Sequence, residues 1–140
     1  MQEMTNPTPV EWDRTWAITD ILKAKYESDP SRPQWERKSS MGSGWIPVTV
    51  AQFVEEVRSV AAGLIASGVQ KGDRVGIMCR TRYEWTLLDF AAWWTGAVPV
   101  PIYETSAAEQ ALYIGQDAEL TMLFVETHAQ ALVASGLVDK

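Results

Sequence analysis

Between Gly68 and Glu104 the chain reads GVQKGDRVGIMCRTRYEWTLLDFAAWWTGAVPVPIYE, and the changes of apolar period within this stretch constrain the fold more than any other feature. A short apolar run, Val75 to Met78, precedes a pattern with helical spacing, and a second run rich in β-branched residues, Val98 to Ile102, follows it. The reading is strand, helix, strand. Thr81 with Glu84 three residues later predicts a capping box at the start of the helix, and Gly96 predicts a left-handed residue at its end. Two strands joined in this way lie parallel, with a right-handed crossover.

The rest of the chain adds layers to that unit. Met1 to Arg14 has two prolines and no apolar period, so a flexible arm is expected over residues 1–14, anchored by Trp12 and Trp16. Ile18, Ile21, Leu22 and Tyr26 mark a short helix that ends before Asp29-Pro30, because the residue preceding a proline is pushed out of the helical region. Gln34 to Lys38 and Trp45 to Thr49 flank SSMGSG and predict an antiparallel hairpin. The glycines there do not make a phosphate loop, since no Lys-Ser/Thr follows and no helix begins. Thr49 and Gln52 box the start of a helix whose apolar face runs Val50, Phe53, Val54, Val57, Ala61, Leu64 and Ile65, with Gly68 as its stop. Ser106 with Glu109 predicts a helix to about Gln116, Leu120 to Val125 a strand, and Thr127 with Gln130 a last helix. The alternation implies an α/β fold, a parallel βαβ layer with an N-terminal β-hairpin. Pro99 and Pro101 sit two apart in their strand, so one side lacks donors. That predicts an edge strand, with a channel-lining gap as the alternative.

Charge and reactive residues exclude several function classes. A net charge of −6, with no basic run, argues against nucleic acid as the main partner. The first twenty residues carry neither a basic region nor a continuous apolar one, and no apolar run reaches bilayer length, so the expected location is the cytoplasm. The single Cys79 ends a buried-looking strand and reads as a structural thiol. His128 has no second ligand at metal spacing and reads as a surface residue. Glu84, Asp89, Glu104, Glu109 and Asp117 are scattered, and each is explained as a cap, a helix-face charge or a turn residue. The turn Arg80-Thr81-Arg82-Tyr83 has no glycine, so it is not a dinucleotide fingerprint, although Arg80 and Arg82 at a helix start are candidates for holding an anion. Trp85, Trp93 and Trp94 are expected to pack against the sheet rather than stack on a ligand.

The runs VQKGDRVGIMCRTRYEWTLLDFAAWWTGAVPVPIYETSAAEQ and YIGQDAEL, preceded by WIPVTVAQFVEEVRSVAAGLIASG, resemble the N-terminal segment of bacterial long-chain fatty acid–CoA ligases. These are AMP-forming acyl-CoA synthetases of the adenylate-forming superfamily. The resemblance runs from Thr15 onward and rests on GDRV, RYEW, GAVPVPIY and TSAAEQ in combination. The family more often has a second Ser at Ala107, with Ser106 still expected to cap. The resemblance implies that residues 15–140 are part of the large N-terminal, AMP-binding type domain, with the C-terminal lid domain absent. It implies a complete enzyme that condenses a fatty acid with ATP to an acyl-adenylate and pyrophosphate, then transfers the acyl group to CoA, with magnesium on the phosphates. The family's phosphate loop, its Tyr-Gly-x-Thr-Glu motif, its hinge and its lid lysine have no match in the 140 residues. No catalytic, cofactor-binding or metal-ligating residue is therefore assigned, and the matched motifs read as scaffold. Two functions follow as expectations: a ligase fragment inactive alone, or a non-catalytic assembly module pairing with a separately encoded remainder or an intact synthetase. A flavodoxin-like nucleotide binder is a weaker third. Self-association is also expected, and peripheral membrane association is compatible with this location.

Overall fold

Local signals set most element boundaries in the computed structural model, which describes residues 15–40 and 42–137. The arm expected over 1–14, with Trp12, lies outside the described residues; Trp16, its other expected anchor, is 62 % exposed. Helix α1 (Ile18–Ser28) starts where the Ala17 N–H donates to Asp20 Oδ2 at 2.8 Å, and it ends at Asp29 before Pro30. Strands β1 (Pro33–Lys38) and β2 (Trp45–Thr49) form the expected antiparallel hairpin. Helix α2 (Val50–Ala66) follows without a break. Its N-terminus carries the full reciprocal box: Gln52 N–H donates to Thr49 Oγ1 at 3.2 Å and Thr49 N–H donates to Gln52 Oε1 at 2.9 Å.

Strand β3 (Arg74–Met78), helix α3 (Tyr83–Thr95) and strand β4 (Val98–Ile102) are the parallel unit read from the sequence. Gly96 closes α3 at φ 80°, a left-handed conformation that costs glycine nothing. The start of α3 differs from expectation. Arg82, not Thr81, is the N-cap residue, and no side chain caps it; Glu84 instead turns its carboxylate to Arg82. Helix α4 (Ala108–Asp117), strand β5 (Met122–Val125), helix α5 (His128–Val133) and a 3₁₀ turn (Ser135–Leu137) follow, ending the described residues. The sheet order is β4-β3-β5, all parallel, so β3, the first of the three in sequence, is central. The prolines of β4 accordingly lie on an edge strand.

The predicted cap of α4 is displaced by one residue. Ala107 occupies the N-cap, and only half a box survives, with Ala107 N–H donating to Gln110 Oε1 at 3.1 Å. Alanine offers no oxygen to the helix in return, so the Ala107 position does matter. Ala107→Ser is expected to raise the unfolding free energy by about 1 kcal/mol, read as a higher denaturation midpoint at unchanged slope.

Alternation along the strands divides the core. Met122 and Phe124 point to one face, where they pack with Val75, Ala61, Leu64, Ala91 and Ala92 of the α2/α3 layer. Leu123 and Val125 point to the other, with Met78, Ile102, Ala111, Ile114 and Val133 of the α4/α5 layer. Gly76 lets two leucines come close to the centre of β3: a Cβ there would lie 2.6 Å from Leu123 Cδ1 and 2.7 Å from Leu120 Cδ1, so both side chains would have to shift. A further cluster fastens the hairpin to the helices. Phe53 is fully buried, stacks on Trp35 with centroids 3.9 Å apart, and meets Tyr83 and Phe90 edge-on at 5.9 and 5.4 Å.

A crevice at the carboxyl ends of the parallel strands

The helix that follows β3 packs on one face of the sheet and the helix that follows β5 packs on the other. Between two such strands the departing chains diverge, leaving the crevice in which open α/β sheets characteristically hold ligands. Here that crevice has a volume of about 340 Å³ and is walled by the hairpin residues Glu36 to Lys38 and Trp45, by Arg80 to Glu84 after β3, and by Glu126 after β5.

Glu126 organises it. The Thr127/Gln130 box holds this residue from below, since Gln130 Oε1 accepts both the Glu126 N–H at 2.9 Å and the Thr127 N–H at 3.0 Å. Its carboxylate accepts the Arg80 N–H at 3.0 Å, Arg80 Nη2 at 2.6 Å and Arg82 Nη1 at 2.9 Å. Its side chain is only 7 % exposed, while the two guanidinium groups reach solvent at 71 % and 44 %. The side-chain and backbone donors of Arg80, and then Arg82, hold the carboxyl at about 2, well below its ordinary 4.5.

Because the folded value is depressed, the stabilisation this carboxylate contributes is complete above about pH 4.5 and is lost as pH falls through about 2. Glu126→Gln is therefore expected to lower the denaturation midpoint near neutral pH, with the difference from the parent chain vanishing at the acid end of a pH series.

The remaining charges are also engaged. Arg82 pairs with Glu84 as well as Glu126. Arg37 Nη1 donates to Glu56 at 3.1 Å, and Tyr83 O–H donates to the same carboxylate at 2.8 Å, tying hairpin, α2 and α3 together. The Lys38 ammonium lies 5.7 Å over the Trp45 ring. Arg80 and Arg82, expected as anion holders, are instead joined to carboxylates, and an incoming anion would have to displace Glu126. The crevice acts as a latch between strand ends, with no free acid–base pair and no glycine turn that brings backbone close to a phosphate. These residues do not fit ATP, magnesium or CoA.

The other residues singled out from sequence lie apart from this crevice or serve structure. His128 is exposed on the first turn of α5. Cys79 is half-buried, and burial, then the charge of Glu126, pushes its thiol upward, away from reactive thiolate. Trp85, Trp93 and Trp94 are each half-buried. Trp94 packs on the clusters of the α2 side, with Lys23 and Arg58 over its ring, and Trp93 meets Phe90 edge-on at 5.3 Å. Asp89 departs most from its expected role as a helix-face charge. It retains only 9 % exposure, has no hydrogen-bond or ion-pair partner among the described residues, and burial pushes its carboxyl up to about 6. Among the described residues no three His, Cys, Asp or Glu side chains gather as a metal set, and no helix is long and apolar enough to cross a membrane.

This fold, with its parallel layer and attached hairpin, is that of the N-terminal domains of adenylate-forming enzymes, and residues 27–139 match the sequence model of the AMP-binding enzyme family. The chain belongs to that family. Within it, 137 residues are 40 % identical to the long-chain-fatty-acid–CoA ligase FadD15 of Mycobacterium bovis, covering 98 % of this chain and 22 % of that ligase. The matched region is an N-terminal part of the relative, so this chain is homologous to a fragment of it. Among solved structures, VinN superposes with a TM-score of 0.74 at 17 % identity, over 87 % of this chain and 31 % of VinN. A putative long-chain-fatty-acid CoA ligase of Rhodopseudomonas palustris gives 0.73 at 20 % identity, over 88 % of this chain and 30 % of that one. At such identities the likeness shows the fold alone.

Proposed function

We propose that this chain supplies the leading α/β layer of a long-chain fatty acid–CoA ligase and is inactive by itself. The complete enzyme would join a fatty acid to ATP, releasing pyrophosphate, and then exchange AMP for CoA. Residues 15–140 would be part of its N-terminal domain, with residues 1–14 as an arm. The observation that carries this reading is the 40 % identity along almost the whole chain to FadD15, of which it spans 22 %. The crevice supports the inactive half of the reading, because Glu56, Glu84 and Glu126 already engage its guanidinium groups. Groups that hold ATP, magnesium and CoA would come from outside this stretch.

A second reading is an assembly module that completes a separately encoded remainder, and the open edge of β5 favours it. One assay addresses both. Purified chain with a long-chain fatty acid, ATP and magnesium is expected to release no pyrophosphate above a protein-free blank. Release by the chain alone would overturn the inactive reading. Co-expression with the part of the M. bovis ligase beyond the matched region is expected to yield acyl-CoA formation that neither piece shows alone. Its absence would overturn the assembly reading.

A further inference from the structure

Along α3 three residues spaced four apart, Trp85, Asp89 and Trp93, share one side of the helix. A different side, formed by Tyr83, Leu87, Phe90 and Trp94, packs on the cluster that joins the hairpin to α2. Asp89 is nine-tenths buried, yet neither a hydrogen bond nor an ion pair reaches it from the described residues. One helical turn away on either hand stand Trp85, Thr86, Ala92 and Trp93, none of them cationic. Among the described residues no side-chain polar atom is both sealed from solvent and unpartnered, so the Asp89 oxygens open to water through the little exposure the residue keeps. The indoles beside it are also free of charge partners. Lys38 lies over Trp45, and Lys23 and Arg58 lie over Trp94, but no described cation covers the half-buried Trp85 or Trp93.

We propose that this side of α3 is a binding site for an alkylguanidinium, the head group of arginine, supplied by a molecule other than this chain. Its N–H groups would donate to Asp89 while its plane rests against the Trp85 or Trp93 ring. A buried charge without a partner costs stability, and a cation brought to it offsets that cost. The chain itself does not supply one: Arg37, Arg58, Arg74, Arg80 and Arg82 have carboxylate partners, and Arg32 is exposed with no side-chain partner among the described residues. An anion would be repelled, and a neutral ligand would leave the charge uncompensated. Guanidinium suits the place better than ammonium. It is planar, stacks on an indole face, offers a carboxylate two parallel N–H groups, and gives up a weaker hydration shell to enter a narrow opening. The site does not depend on the ligase reading, since it uses residues of α3 alone.

The test follows the indole N–H signals of labelled chain by NMR during titration with N-acetyl-arginine amide at neutral pH. Those of Trp85 and Trp93 are expected to shift together and saturate. N-acetyl-citrulline amide, of the same shape without the charge, is expected to bind roughly tenfold more weakly. Asp89→Asn keeps the side-chain volume, removes the charge and is expected to abolish saturation. An equal response to citrulline amide, a response that survives in Asp89→Asn, or no saturating shift at all would each overturn the site. A helical peptide with one central arginine separates the sources: tighter binding than the free amide assigns the guanidinium to a protein side chain, and equal binding assigns it to a free small molecule, both with the site upheld. Shifts that appear without any probe, grow with chain concentration and vanish in Arg32→Gln would give Asp89 to a second copy of this chain and overturn the inference.

Discussion

Phe53→Ala is expected to lower the unfolding free energy by about 3 to 5 kcal/mol, because Phe53 is the bulkiest fully buried side chain among the described residues. The side chain is fully buried, its ring stacks on Trp35 of the hairpin, and two further rings on α3 meet it edge-on. Truncation removes transfer free energy and aromatic contacts together, and the ring neighbours belong to two different elements, β1 and α3, that cannot both close on the gap. Denaturant titration with fluorescence detection checks this. A loss below about 1 kcal/mol would mean that the hairpin and α3 do not depend on this contact. Exchange measured at the hairpin amides supplies a second readout, because those amides are expected to lose protection before those of β3.

Asp89→Asn is expected to have the opposite sign. The carboxyl has an ordinary value of 3.8 and a folded value of about 6, raised by burial with no compensating partner among the described residues. Below pH 3.8 it is protonated in both states and costs nothing. As pH rises from there the unfolded chain ionises first, so stability falls until about pH 6, above which the full cost is present. At neutral pH the substitution is expected to stabilise the chain by on the order of 2 kcal/mol, and the gain should disappear below about pH 4. Parallel denaturation curves across that range decide it. A gain independent of pH would show that charge is not the cause.

The elements were legible because their signals are local. Thr49 with Gln52 and Thr127 with Gln130 place oxygen and amide three residues apart, and both boxes form; the prolines of β4 carry their own geometry into the sheet. The two displaced helix starts show where local reading stops. At Thr81 the competing interaction is the Arg82–Glu84 pair, which draws away the carboxylate that would have completed the box. At Ser106 the spacing to Glu109 was right for a box, but Ala107 to Gln110 has the same spacing, and the backbone takes the second. The latch was not legible. Glu126 meets Arg80 only because β5 lies beside β3 rather than beside β4, and nothing near either residue encodes that sheet order. Asp89 was hidden for the same reason, since its burial depends on what surrounds α3 and not on its own spacing.

The central position of β3 has a consequence for how the chain is made. On a ribosome β3 emerges first of the three parallel strands, and β4 can join it as soon as α3 has formed. Its other side, together with the apolar contacts that β5 supplies, stays open until residues 122–125 have been synthesised and have left the exit tunnel. Over that interval the most buried of the described strands is a half-covered template, the kind of surface that holdase chaperones bind and that nascent chains pair through when they misassemble. Arg80 and Arg82 wait at the end of that strand, and the arrival of Glu126 ends the wait: its capture by the two guanidinium groups marks the moment at which β3 has a neighbour on both sides.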